Sequence, residues 1–78
     1  MKSAQEQAGE IVESIELARR YQGITQRALA AKAGTTESNY SSMKTMKHML
    51  SLWMTISCAN AVGMRVVLVP AEEGKRHE

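Results

Sequence analysis

The sequence predicts a mainly α-helical domain, four helices followed by one C-terminal β-strand. Three observations carry that expectation. Apolar residues recur at three- and four-residue spacings through the first sixty positions. Glycines at 23, 34 and 63 close successive apolar-periodic segments. After Gly63 the period changes: Met64-Arg65-Val66-Val67-Leu68-Val69 is the one β-branched run, bounded by Gly63 and Pro70. The organisation read from this is a helical unit over 1–63, a strand over 64–70 and a charged tail over 71–78.

The first helix is expected from about Ala4 to Tyr21, with Ala8, Ile11, Val12, Ile15, Ala18 and Tyr21 as its apolar stripe. Glu16 precedes Arg20 by four residues, the favourable order for an ion pair, and Arg19–Arg20 suit the helix end. Gly23 stops the helix. Thr25 is placed to cap a second, short and alanine-rich helix, Gln26 to about Ala33, which Gly34 ends. Thr36 or Thr35 caps a third, about Glu37 to Thr45. The fourth, about Lys47 to Val62, is the most hydrophobic, carrying Met49, Leu50, Leu52, Trp53, Ile56, Ala59 and Val62.

The strand poses an accounting problem. Its backbone groups need partners, and nothing else in the chain reads as a strand. The natural partner is the same strand of a second copy, antiparallel across a two-fold axis. An extended tail packed on the helices, or a fifth helix, are the alternatives. The tail beyond is charged and expected to be disordered.

Composition excludes several classes. A chain of 78 residues buries a small core and is expected to need extra support. Cys58 is the sole cysteine, so no internal disulfide can form. His48, His77 and that cysteine, in a chain without Asp, do not make a tetrahedral metal site. Oligomerisation remains. No cofactor is expected. No apolar run nears the ~20 residues that span a bilayer and no secretory signal is seen, so a cytoplasmic protein of a bacterial or phage-infected cell is expected. Serines are plentiful, but no Ser-His-acid arrangement or phosphate-cradling glycine loop occurs, and the chain is read as no enzyme.

The net charge of +2 hides a segregation. Residues 1–18 carry −3, residues 19–47 carry +5, and residues 48–78 balance. A basic middle points one surface at something anionic.

That middle holds the informative motif, Gln26-Arg27-Ala28-Leu29-Ala30-Ala31-Lys32-Ala33-Gly34-Thr35-Thr36. Two short helices joined by a three- or four-residue turn with Gly are the helix-turn-helix layout. Ala30 is small where the next helix crosses, and Gly34 permits the turn. Leu29, Tyr40 and Met43 pin both helices to the core, with Ile24 and Ala33 completing the layer. Glu37, Ser38, Ser41, Ser42 and Thr45 form the outward face of the third helix.

Here the chain resembles the Xre-type helix-turn-helix family of phage repressors, Cro-like proteins and antitoxins, over roughly residues 11 to 64. The resemblance rests on Ile24-Thr25-Gln26-Arg27-x-Leu29-Ala30-x-Lys32-Ala33-Gly34, on Thr36-Glu37-Ser38-x-Tyr40-Ser41-x-Met43, and on Ile56-x-x-Ala59-x-Ala61-Val62-Gly63. It implies a four-helix, lambda-repressor-like domain and a sequence-specific, dimeric DNA-binding regulator. The C-terminal run looks like relatives that dimerise through a β-ribbon.

By position, the resemblance puts the third helix in the major groove of double-stranded DNA. Gln26 would bond a phosphate or buttress a reading side chain. Glu37 and Ser38 take the earliest reading positions, with Thr36 and Asn39 beside them and Ser41 and Ser42 a turn on. Arg27, Lys32, Lys44, Thr45 and Lys47 would meet phosphates. The hydroxyl of Tyr40 is expected to reach solvent or a phosphate. Dimerisation falls to Arg65, Val66, Val67, Leu68 and Val69, with Trp53 assigned to the core or to a dimer interface.

Among the remaining residues, Cys58 reads as a small buried hydrophobe and His48 as a surface histidine. The methionines read mostly as core filler. Three functions follow. The first is a repressor binding a palindromic operator as a homodimer. The second is an antitoxin that also represses its own operon. The third is a protein-interaction module with a vestigial DNA face. A protein antagonist, either an antirepressor or a toxin, is a further possible partner; no membrane is expected.

Overall fold

The computed structural model describes residues 2–71 as four helices: α1 Ala4–Gln22, α2 Gln26–Ala33, α3 Glu37–Lys44 and α4 Leu52–Ala61. Their capping explains their bounds. Ser3 and Glu6 form a reciprocal capping box, each side chain bonding the other's backbone N–H at 3.0 and 2.9 Å. Thr25 and Thr36 accept from Ala28 N and Asn39 N, each at 3.0 Å. Gly23 and Gly34 close α1 and α2 in the left-handed region, at φ 74° and 89°. These ends lie close to those expected.

The core is a single layer of side chains where the helices meet. Val12 and Ile15 come from α1, Leu29 and Ala30 from α2, Tyr40 and Met43 from α3, and Cys58, Ala59, Ala61 and Val62 from α4 and its end. Ile24 and Ala33 pack partly against them, as expected. Ala30 is 1% exposed, so a larger side chain has nowhere to go. Gln22 Nε2 donates to Val62 O at 2.7 Å, tying the end of α1 to the end of α4.

Three expectations are corrected, and the C-terminal strand is not seen among the described residues. The fourth helix begins at Leu52, not Lys47. Met46 adopts φ 62° and the N–H groups of Lys47 and His48 turn back to Ser42 O, which stops α3 and breaks the chain. Ser51 then caps α4, its hydroxyl accepting from Met54 N at 3.1 Å. In place of the strand, 64–70 has no regular structure. A strand needs a ladder partner, which a single chain does not supply. Instead Val66 packs partly against the core, and Met64–Val67 border a shallow groove with Ile11, Ser14, Ile15 and Ala59.

Second, Trp53 is not a core residue: it is 79% exposed, beside Leu52 at 73%. The buried face of α4 runs through Thr55, Cys58 and Ala59, and Trp53 lies on the opposite side of the helix. Third, Tyr21 lies outside the apolar stripe, exposed at the end of α1. Of the other methionines, Met46 packs partly on the core and Met49 and Met64 are exposed. Apart from Ala71, the charged tail 71–78 lies outside the described residues, as does His77.

Candidate nucleic-acid interface

The turn between α2 and α3 positions the candidate site. Ala30 O accepts from Gly34 N at 3.0 Å and from Thr35 N at 2.9 Å, and Ala31 O from Gly34 N at 3.2 Å, which closes the last turn of α2. Three residues later α3 starts. Thr36 is spent as its cap, and Asn39 Nδ2 donates to Thr35 Oγ1 at 3.1 Å. Glu37 sits in the first turn, where a carboxylate suits the positive end of the helix dipole.

The sequence-derived residues fall as follows. Arg27, Thr36, Glu37, Ser38, Asn39, Thr45 and Lys47 are exposed, whereas Gln26, Ser41, Ser42 and Lys44 are half-buried. Glu37, Ser38, Ser41 and Ser42 lie along one side of α3, away from its buried anchors Tyr40 and Met43. The Thr45 hydroxyl is turned back on its own helix, near Ser41 O and Ser42 O at 3.1 and 3.2 Å. Its proton is therefore not free for a phosphate. Gln26 Oε1 is buried without a hydrogen-bond partner among the described residues, at the start of α2.

Tyr40 departs most from expectation. Its hydroxyl reaches neither solvent nor a phosphate position; the residue is fully buried and donates to Glu16 Oε1 at 2.7 Å. Glu16 in turn takes a fork from Arg19, Nε at 2.9 Å and Nη2 at 2.6 Å. Arg19 Nη1 also donates to Ile24 O at 2.6 Å, fixing the segment just before the cap of α2. The expected partner, Arg20, stands farther from Glu16, at 3.7 Å and largely in solvent. The bonded Arg19 guanidinium, assisted by the Tyr40 hydroxyl, holds the Glu16 carboxyl below the usual carboxylate range against the opposing effect of burial. Glu16 in return raises Arg19. Burial, followed by Glu16, pushes the Tyr40 hydroxyl far up, so it stays protonated and a donor.

This cluster was missed in the sequence. A signal was there: Glu16 and Arg19 share a face three apart, and a Tyr occupies a core position of α3. Buried Tyr hydroxyls need an acceptor, and a carboxylate one helix away is the candidate.

Other chemistry is sparse. Cys58 is buried and its thiol pKa is raised by burial, which disfavours the reactive thiolate. No group of three or more His, Cys, Asp or Glu is placed to hold a metal among the described residues. None of the described helices is long and apolar enough to cross a membrane. The expected dimerisation residues are mostly uncovered: Arg65 and Trp53 are exposed, Val67, Leu68 and Val69 are 59, 98 and 76% exposed, and Val66 is half-buried. No family model, curated protein or solved structure matches the chain.

Proposed function

We propose that the chain is a sequence-specific DNA-binding transcriptional repressor with a lambda-repressor-like helix-turn-helix, gripping a palindromic operator as a homodimer. The observation that carries this reading is the unit α2–turn–α3. Two eight-residue helices are separated by three residues, with left-handed Gly34 and capping Thr36 between them. α3 buries Tyr40 and Met43 and turns a short polar side, Glu37, Ser38, Ser41 and Ser42, away from the core. Such a helix fits the major groove, with its N-terminal residues at base edges. Arg27, Lys32 and Lys47 are exposed around it and Lys44 closes its last turn, a charge distribution suited to phosphates.

The C-terminal segment supports the homodimer. Val67, Leu68 and Val69 stand in solvent, and no backbone hydrogen bond holds 65–70 among the described residues. Antiparallel pairing with a second copy would satisfy those backbone groups and cover the side chains. The reading helices would then sit about 34 Å apart, one duplex turn.

A salt titration on duplex DNA tests the reading. Affinity should fall steeply with ionic strength, and Lys47→Ala should weaken binding to all sequences alike while flattening the slope by ~1. A flat response from low to physiological salt contradicts it. The exposed Leu52–Trp53 pair favours one further reading, a protein contact on the first turn of α4 in addition to DNA.

A further inference from the structure

The helix α3 is only two turns long and reaches the rest of the molecule through two buried side chains, Tyr40 and Met43. Methionine is flexible and its packing is non-directional. Its one polar contact, Thr55 Oγ1 to the Met43 sulfur at 3.9 Å, is long and weak. The Tyr40–Glu16 bond at 2.7 Å is therefore the single strong directional tie from an α3 side chain to another helix among the described residues. Its acceptor cannot swing, because Arg19 holds both carboxylate oxygens and is itself held by Ile24 O.

We propose that Tyr40 is a positioning residue for base reading: its bond to Glu16 sets the roll of α3 about its axis. The roll decides which base edges Ser38, Ser41 and Ser42 meet. Side-chain tips lie about 5 Å from a helix axis, so a roll of ~10° carries them ~0.9 Å. Binding constellations tolerate about 0.5 Å. Apolar packing alone leaves that freedom; a hydroxyl locked to a fixed carboxylate removes it. Arg19 extends the control, since the same guanidinium fixes the chain just ahead of Thr25 and so the start of α2. One cluster thus holds the reading helix, its supporting helix and α1 in register. The inference rests on the DNA-binding reading above.

The test compares wild type, Tyr40→Phe and Glu16→Gln, at a temperature where circular dichroism shows each fully helical. The probes are a duplex that the wild type selects from a random pool and a scrambled duplex of equal length. Tyr40→Phe removes only the hydroxyl, while Glu16→Gln keeps an oxygen for it to bond. The phenylalanine variant should lose about tenfold in preference for the selected duplex, the scale of one good base contact. Its affinity for the scrambled duplex and its salt slope should be unchanged. The glutamine variant leaves the hydroxyl a neutral acceptor but turns an N–H toward Arg19 in place of one oxygen, so it should lose only about threefold, less than Tyr40→Phe. An unchanged preference in Tyr40→Phe overturns the positioning role, and so does an equal loss on both duplexes. A wild type that selects no duplex defeats the DNA-binding reading itself, which is a separate failure.

Discussion

The corner where α1, α2 and α3 meet and the later stretch of chain on either side of the buried face of α4, residues 45–53 and 64–69, obey opposite rules. In the corner a buried carboxylate, guanidinium and hydroxyl are all partnered, and the apolar side chains around them are covered. In the later stretch Leu52, Trp53, Leu68 and Val69 face water, and 65–70 carries no backbone bonds among the described residues. A closed polar network selects one arrangement of helices, because any shift leaves a buried group unpaired. Exposed apolar groups select nothing alone. The first region is covered within one chain, and the second leaves its apolar side chains uncovered.

Substitutions in the two regions should differ accordingly. The largest effect is expected from Leu29→Ala, which empties a site 1% exposed between α2 and its neighbours. It should cost about 2–5 kcal/mol in chemical denaturation. A loss below 1 kcal/mol would mean the corner collapses freely around the gap.

Next comes Glu16→Gln, which weakens a network built on charge-assisted bonds, by about 1.5–3 kcal/mol at neutral pH. The folded pKa of Glu16 lies below its unfolded value. Its stabilisation is therefore present above the ordinary carboxylate pKa of about 4.3 and lost as the pH falls through the lower folded value. The gap between parent and variant should close in that acid range. A gap constant from pH 7 down to pH 2 would show that the carboxylate charge contributes nothing.

Gly34→Ala should cost about 1–2 kcal/mol, the penalty of a side chain in the left-handed region. An added Cβ there meets nothing within 4 Å, so the cost is conformational rather than steric. Thermal unfolding checks it, and no change in midpoint would mean the turn relaxes. The smallest effect belongs to the other region. Leu68→Ser, at a residue 98% exposed, should alter stability in dilute solution by under about 0.5 kcal/mol. A loss that grows with protein concentration would mark self-association through this segment.

What was legible in the sequence follows the same division. Caps, glycine stops and apolar spacing are local signals, so α1, α2 and α3 were placed nearly to the residue. The buried set Leu29, Ala30, Tyr40 and Met43 was legible because period and turn chemistry agreed. The start of α4 was not, because the apolar run from Met49 continues a helical period across the break. Ser51 carries the cap signal, yet it competes with that run, and positive φ at Met46 leaves no mark in a methionine. The β-branched residues predict a strand, but forming one depends on a partner strand, which one copy of the chain does not hold. Exposure of Trp53 follows from its place on α4, roughly half a turn round the helix from Thr55, Cys58 and Ala59. In the candidate site, the polar face of α3 was visible from its spacing. The Glu16–Tyr40 bond joins residues 24 positions apart, so local spacing shows only the Glu16–Arg19 half of the cluster.

On the proposed function, the side of α3 bearing Glu37, Ser38, Ser41 and Ser42 reads DNA as one half of a symmetric pair. Selection of bound duplexes from a random pool tests it most directly. The account predicts enriched sites with two-fold symmetry and half-site centres about 10 base pairs apart, the preference shifting at one position per half-site in Glu37→Gln. A pool that stays random after selection, or enriched sites without symmetry, would contradict it.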